Sequence, residues 1–393
     1  MSKSSKPALS VLSKQKEEKK VEYLELIYDL IFVYIVGRNN SLLSHTEGGF
    51  IPGGVFFAYM LSTLAIIQIW NFSTFYINLY GRNSVRDHIF LCVNMYLLYH
   101  MADGITLVWQ SSFYRYCVAW ILILLNLGIQ HIIELRNHPD EPDHCRQLKR
   151  KATVLFIEAA LVGVHMLIFS QTGVSTAYVP ILFGIVATSL SGRINAKVPV
   201  DFAHLTERAM LYVVFTFGEM IIVIASYFSG ELTLNAIYFS LMAFLIVVGL
   251  FLTYGVMYNR IIDRERQTVG TGYMLIHVFL ILALNNISVA LEFMRDEEVA
   301  LMPKTLFLSA SFVAYFIFMF LLAIWSKKRC AFNLRFALTM IAVGVSFVLL
   351  MLLFSGMMYV NIAVTVLYVY GIFITLYLKS RKADAPSPAR SLI

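Results

Sequence analysis

Two segments of the chain carry ionisable residues at helical spacing inside long apolar runs, and the chemistry open to them is that of charge held in a non-aqueous interior. In the run from Phe202 to Phe228, His204 and Arg208 stand one turn apart and Glu219 continues their side of the helix. The eleven residues from Arg208 to Glu219, at about 100° each, bring the two side chains to within about 20° of one face, about 16 Å apart along the axis. They share a stripe but cannot touch. An ionisable side chain in hydrocarbon costs about 2.5 kcal/mol or more, so each must face protein or a water-filled cavity, and each is a candidate for proton or ion exchange.

The second segment reads Glu22-Tyr-Leu-Glu25-Leu-Ile-Tyr28-Asp29-Leu-Ile-Phe32-Val33-Tyr34. Glu22, Glu25 and Asp29 follow i, i+3, i+7 spacing and form one acidic stripe. The bland account places Glu22 and Glu25 in the headgroup layer at a helix amino terminus, where the dipole favours anions. Asp29 lies about 13 Å beyond Lys20 and is read as buried, either functional or pairing helices. For Arg208 the bland account is snorkelling, or pairing with Glu207 or Glu25 near the inner surface. Glu219 is far from that surface, and Gly218 beside it would allow close helix approach.

The elements that must position these residues follow from composition. A chain with 59% hydrophobic and 14% charged residues, mean hydropathy +0.72, is an all-α polytopic membrane protein whose partner is the lipid bilayer. Its net charge of +7 reports orientation and does not indicate nucleic acid binding. Apolar runs give twelve predicted spans, near 23–43, 54–80, 87–108, 113–135, 148–170, 176–192, 202–228, 233–258, 270–291, 303–325, 333–354 and 357–378. With the amino terminus inside, the cytoplasmic segments and their flanks hold 26 of the 31 Lys and Arg residues and the external ones hold 4. That asymmetry supports twelve spans with both termini cytoplasmic. The expected organisation is a basic cytoplasmic tail (1–20), two six-helix halves (21–192 and 193–378), and a cytoplasmic tail (379–393) that is disordered from Ala383. Cys92, Cys117, Cys145 and Cys330 have no paired spacing, and no disulfide is expected.

A weak internal repeat relates the halves. Tyr76-x3-Tyr80-x-Arg82 ends the second span and Tyr254-x3-Tyr258-x-Arg260 the eighth, while Glu25 and Glu207 enter the first and seventh from the same side. Six spans per half would make the repeats parallel. A second tier of polar residues comprises Glu158 with His165, His100 with Asp103, and His277 with Asn285 and Asn286. Most are read as interhelical hydrogen-bonding groups, with Glu158 kept as a candidate proton-binding group. Gly184, Thr188 and Gly192 suggest a close-packing face. The loop His138-Pro-Asp140-Glu141-Pro-Asp143-His144-Cys145 gathers metal-donor types, but its prolines and unfamiliar spacing favour a solvated turn, and no metal or cofactor is assigned. Neither a phosphate-cradling loop nor a serine-nucleophile elbow is present.

Glu25-Leu-Ile-Tyr-Asp29-Leu-Ile-Phe-Val33, with His204-x-x-Glu207-Arg208-x-x-Leu211 through Gly218-Glu219, resembles the two signature segments of the bacterial low temperature requirement A (LtrA) proteins. Ile27 stands where the signature has phenylalanine, and Gly255 where it leads us to expect an acidic residue. The resemblance implies a multipass inner-membrane protein linked to growth in the cold or under stress, without implying a mechanism. The residues themselves point to a proton- or ion-coupled secondary transporter or conduction protein for an unknown ion or small solute. Asp29 and Glu219 are its coupling carboxylates, Arg208 an anion-binding or gating charge, and Glu25, His204, Glu207 and Glu158 further candidates. The alternatives are an intramembrane enzyme acting on lipid or a lipid-linked group, with Glu219 or His204 as acid or base, and a non-catalytic stress or assembly protein. The oligomeric state is left open.

Overall fold

The computed structural model describes residues 20–44, 46–105, 109–225, 233–296 and 298–384. Twelve of the thirteen α-helices among the described residues lie along the apolar runs: α1 (Tyr23–Asn40), α2 (Gly53–Tyr80), α3 (Val85–Asp103), α4 (Trp109–Glu134), α5 (Pro142–Thr172), α6 (Tyr178–Leu190), α7 (Phe202–Ala225), α8 (Leu234–Val256), α9 (Thr271–Arg295), α10 (Leu301–Leu321), α11 (Leu334–Leu353) and α12 (Met358–Asp384); the other is a single turn, Gly192–Asn195. Extended structure among the described residues is confined to two isolated bridges, Glu47 with Phe50 and Ile262 with Ser326. The fold is all-α and of the polytopic membrane kind. Residues 1–19, most of the expected basic tail, lie outside the described residues, as do 385–393 of the expected disordered tail.

Among the described residues nine helices are long and apolar enough to cross a membrane. Three of the twelve fall short, each for its own reason. α1 carries Glu25, Asp29 and Arg38 within 18 residues. α3 is diluted by Arg86, Asp87, His88, Asn94 and His100. α6 has 13 residues, a length of about 20 Å against a hydrocarbon core of about 30 Å.

Burial sorts the helices into a centre and a rim. α9 is central: 78% of its apolar stretch is buried, against 17% for α11. Leu334, Leu338, Ile341, Val345, Leu349 and Leu353 run down one side of α11 and are all more than half exposed, as a lipid-facing stripe must be. In the first half α1 packs on α2 and α3, α3 on α4, α4 on α5, and α6 on α5 and α2. In the second, α7 packs on α8 and α9, α9 on α10, α10 on α11, and α12 on α11 and α8. The first six of these helices meet the last six where α1, α2 and α6 pack against α7 and α9. Loops are tied in pairs at the two ends of the bundle, by Ala300 N–H donating to Gly49 O (2.8 Å) and by Lys327 N–H donating to Ile261 O (2.9 Å).

Candidate functional site

The junction of the halves is where α1 lies along α7, and it brings together four of the seven residues singled out from the sequence. Arg208 enters from the first turns of α7, is wholly buried, and turns its guanidinium onto the acidic stripe of α1. Its Nε–H and Nη2–H donate to the two oxygens of Asp29, Oδ2 at 3.1 Å and Oδ1 at 2.6 Å. Its Nη1–H donates to Glu25 Oε2 at 2.5 Å. This fork across two carboxylates needs the planar guanidinium. Trp70 of α2 adds a third donor to Asp29, Nε1–H to Oδ1 at 2.8 Å. Asp29 is thereby saturated, whereas Glu25 holds one guanidinium bond and has His204 Nε2 at 3.5 Å from its Oε2.

The state of His204 follows from its other neighbour. Asn78 of α2 is locked in orientation by the backbone of Asp201: its Nδ2–H donates to Asp201 O (2.8 Å) and its Oδ1 accepts from Asp201 N–H (3.0 Å). The remaining Nδ2–H meets His204 Nδ1 at 3.0 Å. Nδ1 must therefore accept, which leaves the single ring proton of a neutral imidazole on Nε2, facing Glu25. Among the described residues, the cluster then holds two carboxylates against one fixed cation.

Glu25 is the member that reaches water. Asp29 and Arg208 are 0% exposed and Glu25 5%. Glu25 lines a cavity of about 370 Å³ together with Lys20, Glu22, Arg82, Asp87 and His88. Among the described residues that line it, Lys20 and Arg82 stand against Glu22 and Asp87.

The other three residues lie elsewhere. Glu207, half-buried, makes none of these contacts. Glu219, also half-buried, packs against α1 from further along α7: a Cβ added to Gly37 would sit 2.5 Å from its Oε1 and 2.9 Å from its Cδ. The close approach expected at Gly218 is made by Gly37 instead, since Gly218 has open space where its Cβ would be. Glu158 occupies a separate place, where α5 meets α2 and α6. It is fully buried, and neither carboxylate oxygen has a hydrogen-bond partner. A Cβ at Gly184 would strike both Glu158 Oε2 and Gln68 Nε2, so three helices converge there because α6 has glycine at that position. Gln68 Nε2–H donates to Ile181 O (3.2 Å), while Gln68 Oε1, Asn71 Oδ1 and Thr271 Oγ1 are buried without a partner. A cavity of about 20 Å³ touches Gln68, Asn71, Gly184 and Thr271, a volume that suits about one water molecule.

Residues 20–373 match the sequence model of the family described as bacterial low temperature requirement A protein (LtrA). The chain belongs to this family. No curated protein and no solved structure is similar enough to match it. The match runs from just before α1 into α12, so the LtrA region includes both the α1–α7 cluster and the Glu158 site.

Second-tier groups of this LtrA-family chain mostly find structural partners. His165 does not meet Glu158 but bonds to Thr176, whose N–H donates to Nδ1 at 3.1 Å. Asp103 pairs with Arg115. His277 Nε2 meets Tyr254 Oη at 3.0 Å. Among the described residues no disulfide joins any of the four cysteines. In the α4–α5 loop, His138 Nδ1 lies 2.7 Å from Glu141 Oε2, and the imidazole holds that carboxyl below the usual carboxylate range. Trp70, Asn78, Gln68 and Gly37 were not among the site residues expected from the sequence, whereas Gly184 makes the close packing expected of it. Gln68, Asn71 and Asn78 did carry a signal, being amides inside a long apolar run.

Proposed function

We propose that this LtrA-family protein is a proton- or cation-coupled transporter or conduction protein of the bacterial inner membrane, with both termini cytoplasmic and the α1–α7 cluster as its exchange site. The observation that carries the reading is the charge count: Glu25 and Asp29 face one guanidinium, and the imidazole beside them is neutral. Burying an uncompensated carboxylate is costly, so the cluster calls for one more positive charge, a proton or a small cation. Glu25 is the acceptor because Asp29 is saturated by three donors and Glu25 borders the vestibule. This shifts the coupling role from Asp29 and Glu219 to Glu25, and gives Arg208 the part of a fixed counter-charge. Glu158 is a second carboxylate that needs a proton or cation.

A purely structural reading, in which the charges only pin α1 to α7, is favoured by that same saturation of Asp29. The two readings part in reconstituted vesicles with a pH-sensitive dye inside and imposed gradients of ions and small solutes. Coupling predicts proton or cation flux that a well-folded Glu25→Gln variant loses, because the amide keeps the shape and removes the exchangeable charge. Wild-type flux in that variant would leave only the structural role. Turnover of a lipid substrate without flux would instead favour the enzyme alternative.

A further inference from the structure

The turn between α4 and α5 lies apart from both buried sites, and it assembles a donor set that neither of them uses. His138 follows a short helical turn that extends α4 (Leu135–Asn137), and Glu141 stands immediately before Pro142, the first residue of α5. His144 is in the first turn of α5. Their donor atoms all lie within 4.8 Å of one another. Glu141 Oε2 is the hub, 2.7 Å from His138 Nδ1 and 3.6 Å from His144 Nε2. Ligands held at about 2.1 Å around a tetrahedral ion stand about 3.4 Å apart, a value that the two Glu141 spacings bracket. The imidazole planes of His138 and His144 are 3° from parallel with centroids 4.9 Å apart, so one ring must rotate for both to aim a nitrogen at one ion, and both make T-shaped contacts with Tyr80.

A second, independent feature is the arrangement behind His138. Its Nε2 lies 3.3 Å from Glu134 Oε1, a carboxylate that is itself fully buried, though neither atom completes a hydrogen bond among the described residues. A metal-bound imidazole usually gives its other N–H to a carboxylate, which sets the tautomer and the ring orientation. Here that carboxylate is held by Arg86, with Arg82 Nη2 at 3.4 Å, so Glu134 is an orienting group and not a fourth ligand. The prolines, which argue for a plain solvated turn in the sequence, fix φ at Pro139 and Pro142 and so pre-set the backbone that carries the donors. Glu141 is exposed and His144 partly so, which leaves the remaining coordination positions open to water.

We propose that His138, Glu141 and His144 form a binding site for a divalent transition-metal ion of the zinc, cobalt and nickel class, oriented through Glu134. Two imidazoles and one carboxylate suit these borderline ions and not Mg²⁺ or Ca²⁺, which take oxygen ligands. The site is independent of the proposed transport role. The bound ion would cross-link the end of α4 to the start of α5 beside Tyr80 at the end of α2.

The test is a Co²⁺ titration of the full-length, tag-free protein in detergent, followed by visible absorption, with Zn²⁺ as competitor. The site predicts one equivalent bound with Kd at or below about 10 µM. It also predicts bands stronger than those of the hydrated ion, and loss of the signal when Zn²⁺ is added. His144→Ala and Glu141→Gln change partly or fully exposed side chains and should leave the fold intact, shown by an unchanged elution volume and melting temperature, while weakening Co²⁺ binding at least tenfold. Glu134→Gln should weaken it by about 10- to 100-fold through orientation alone. A spectrum equal to that of hydrated Co²⁺, or equal affinity in wild type and folded Glu141→Gln, would overturn the proposal.

Discussion

The α1–α7 cluster and the Glu158 site are both charge-bearing places inside a helix bundle, and they meet the cost of burial in opposite ways. Around Arg208 every formal charge has a partner at hydrogen-bond distance: three donors on Asp29, and a guanidinium bond on Glu25. Among the described residues Glu158 has no ion pair and no hydrogen bond to either oxygen, and the amide and hydroxyl groups beside it are themselves incompletely paired. A paired cluster is held by geometry and fails when its cation, or the carboxylate that takes three donors, is removed. An unpaired acid depends on what it takes up, so replacing it by an isosteric amide costs little.

The largest effect that this contrast predicts is at Arg208. Arg208→Met leaves two buried carboxylates without their cation and should destabilise the protein by about 3–5 kcal/mol, read as thermal unfolding in detergent. Arg208→Lys keeps the charge, loses the fork and should fall between. A melting temperature for Arg208→Met equal to wild type would break the contrast at once.

Matched isosteric changes sharpen it. Asp29→Asn turns one acceptor oxygen toward donors as an NH₂ group and should cost about 3 kcal/mol or more, whereas Glu158→Gln should stay within about 1 kcal/mol. Equal losses would show that Glu158 has an ionic partner after all.

Glycine substitutions come next. At Gly184 a methyl group meets two buried polar side chains, so Gly184→Ala should cost about 1–3 kcal/mol. At Gly37 it meets the half-buried end of Glu219, which can swing aside, and Gly37→Ala should cost less than about 1 kcal/mol. The reverse order of melting temperatures would mean that Glu219 is the more rigidly held carboxylate.

The smallest perturbation addresses orientation. In a cysteine-free background Gly48→Cys should react with an impermeant thiol reagent added to sealed cells, and Asp143→Cys should not. Labelling at position 143 would invert the assignment and place the vestibule below Glu25 on the outer side.

The fold was legible because a span is a composition signal: about 20 apolar residues need no knowledge of their neighbours. The α4–α5 turn shows the limit from the other side, since three donors spaced three apart read as an ordinary loop until the turn folds them onto one carboxylate. Asp29 and Arg208 were each legible as buried charges, but their pairing joins residues 179 apart in sequence and depends on how α1 is rotated against α7. For the same reason Gly218, adjacent to Glu219 in sequence, looked like the contact glycine, while the contact is made by Gly37 on the facing helix. Glu158 was visible as an acid in an apolar run. That it lacks a partner is a property of α2 and α6, and its own helix carries no sign of it.

The central claim is that the α1–α7 cluster exchanges one positive charge at Glu25, and the most direct measurement needs no substrate. Infrared difference spectra of the reconstituted protein between acid and alkaline buffer report carboxyl groups that gain or lose a proton. The account predicts a titrating carboxyl signal that is present in wild type and in Glu158→Gln and absent in Glu25→Gln. A Glu25→Gln spectrum identical to wild type would contradict it.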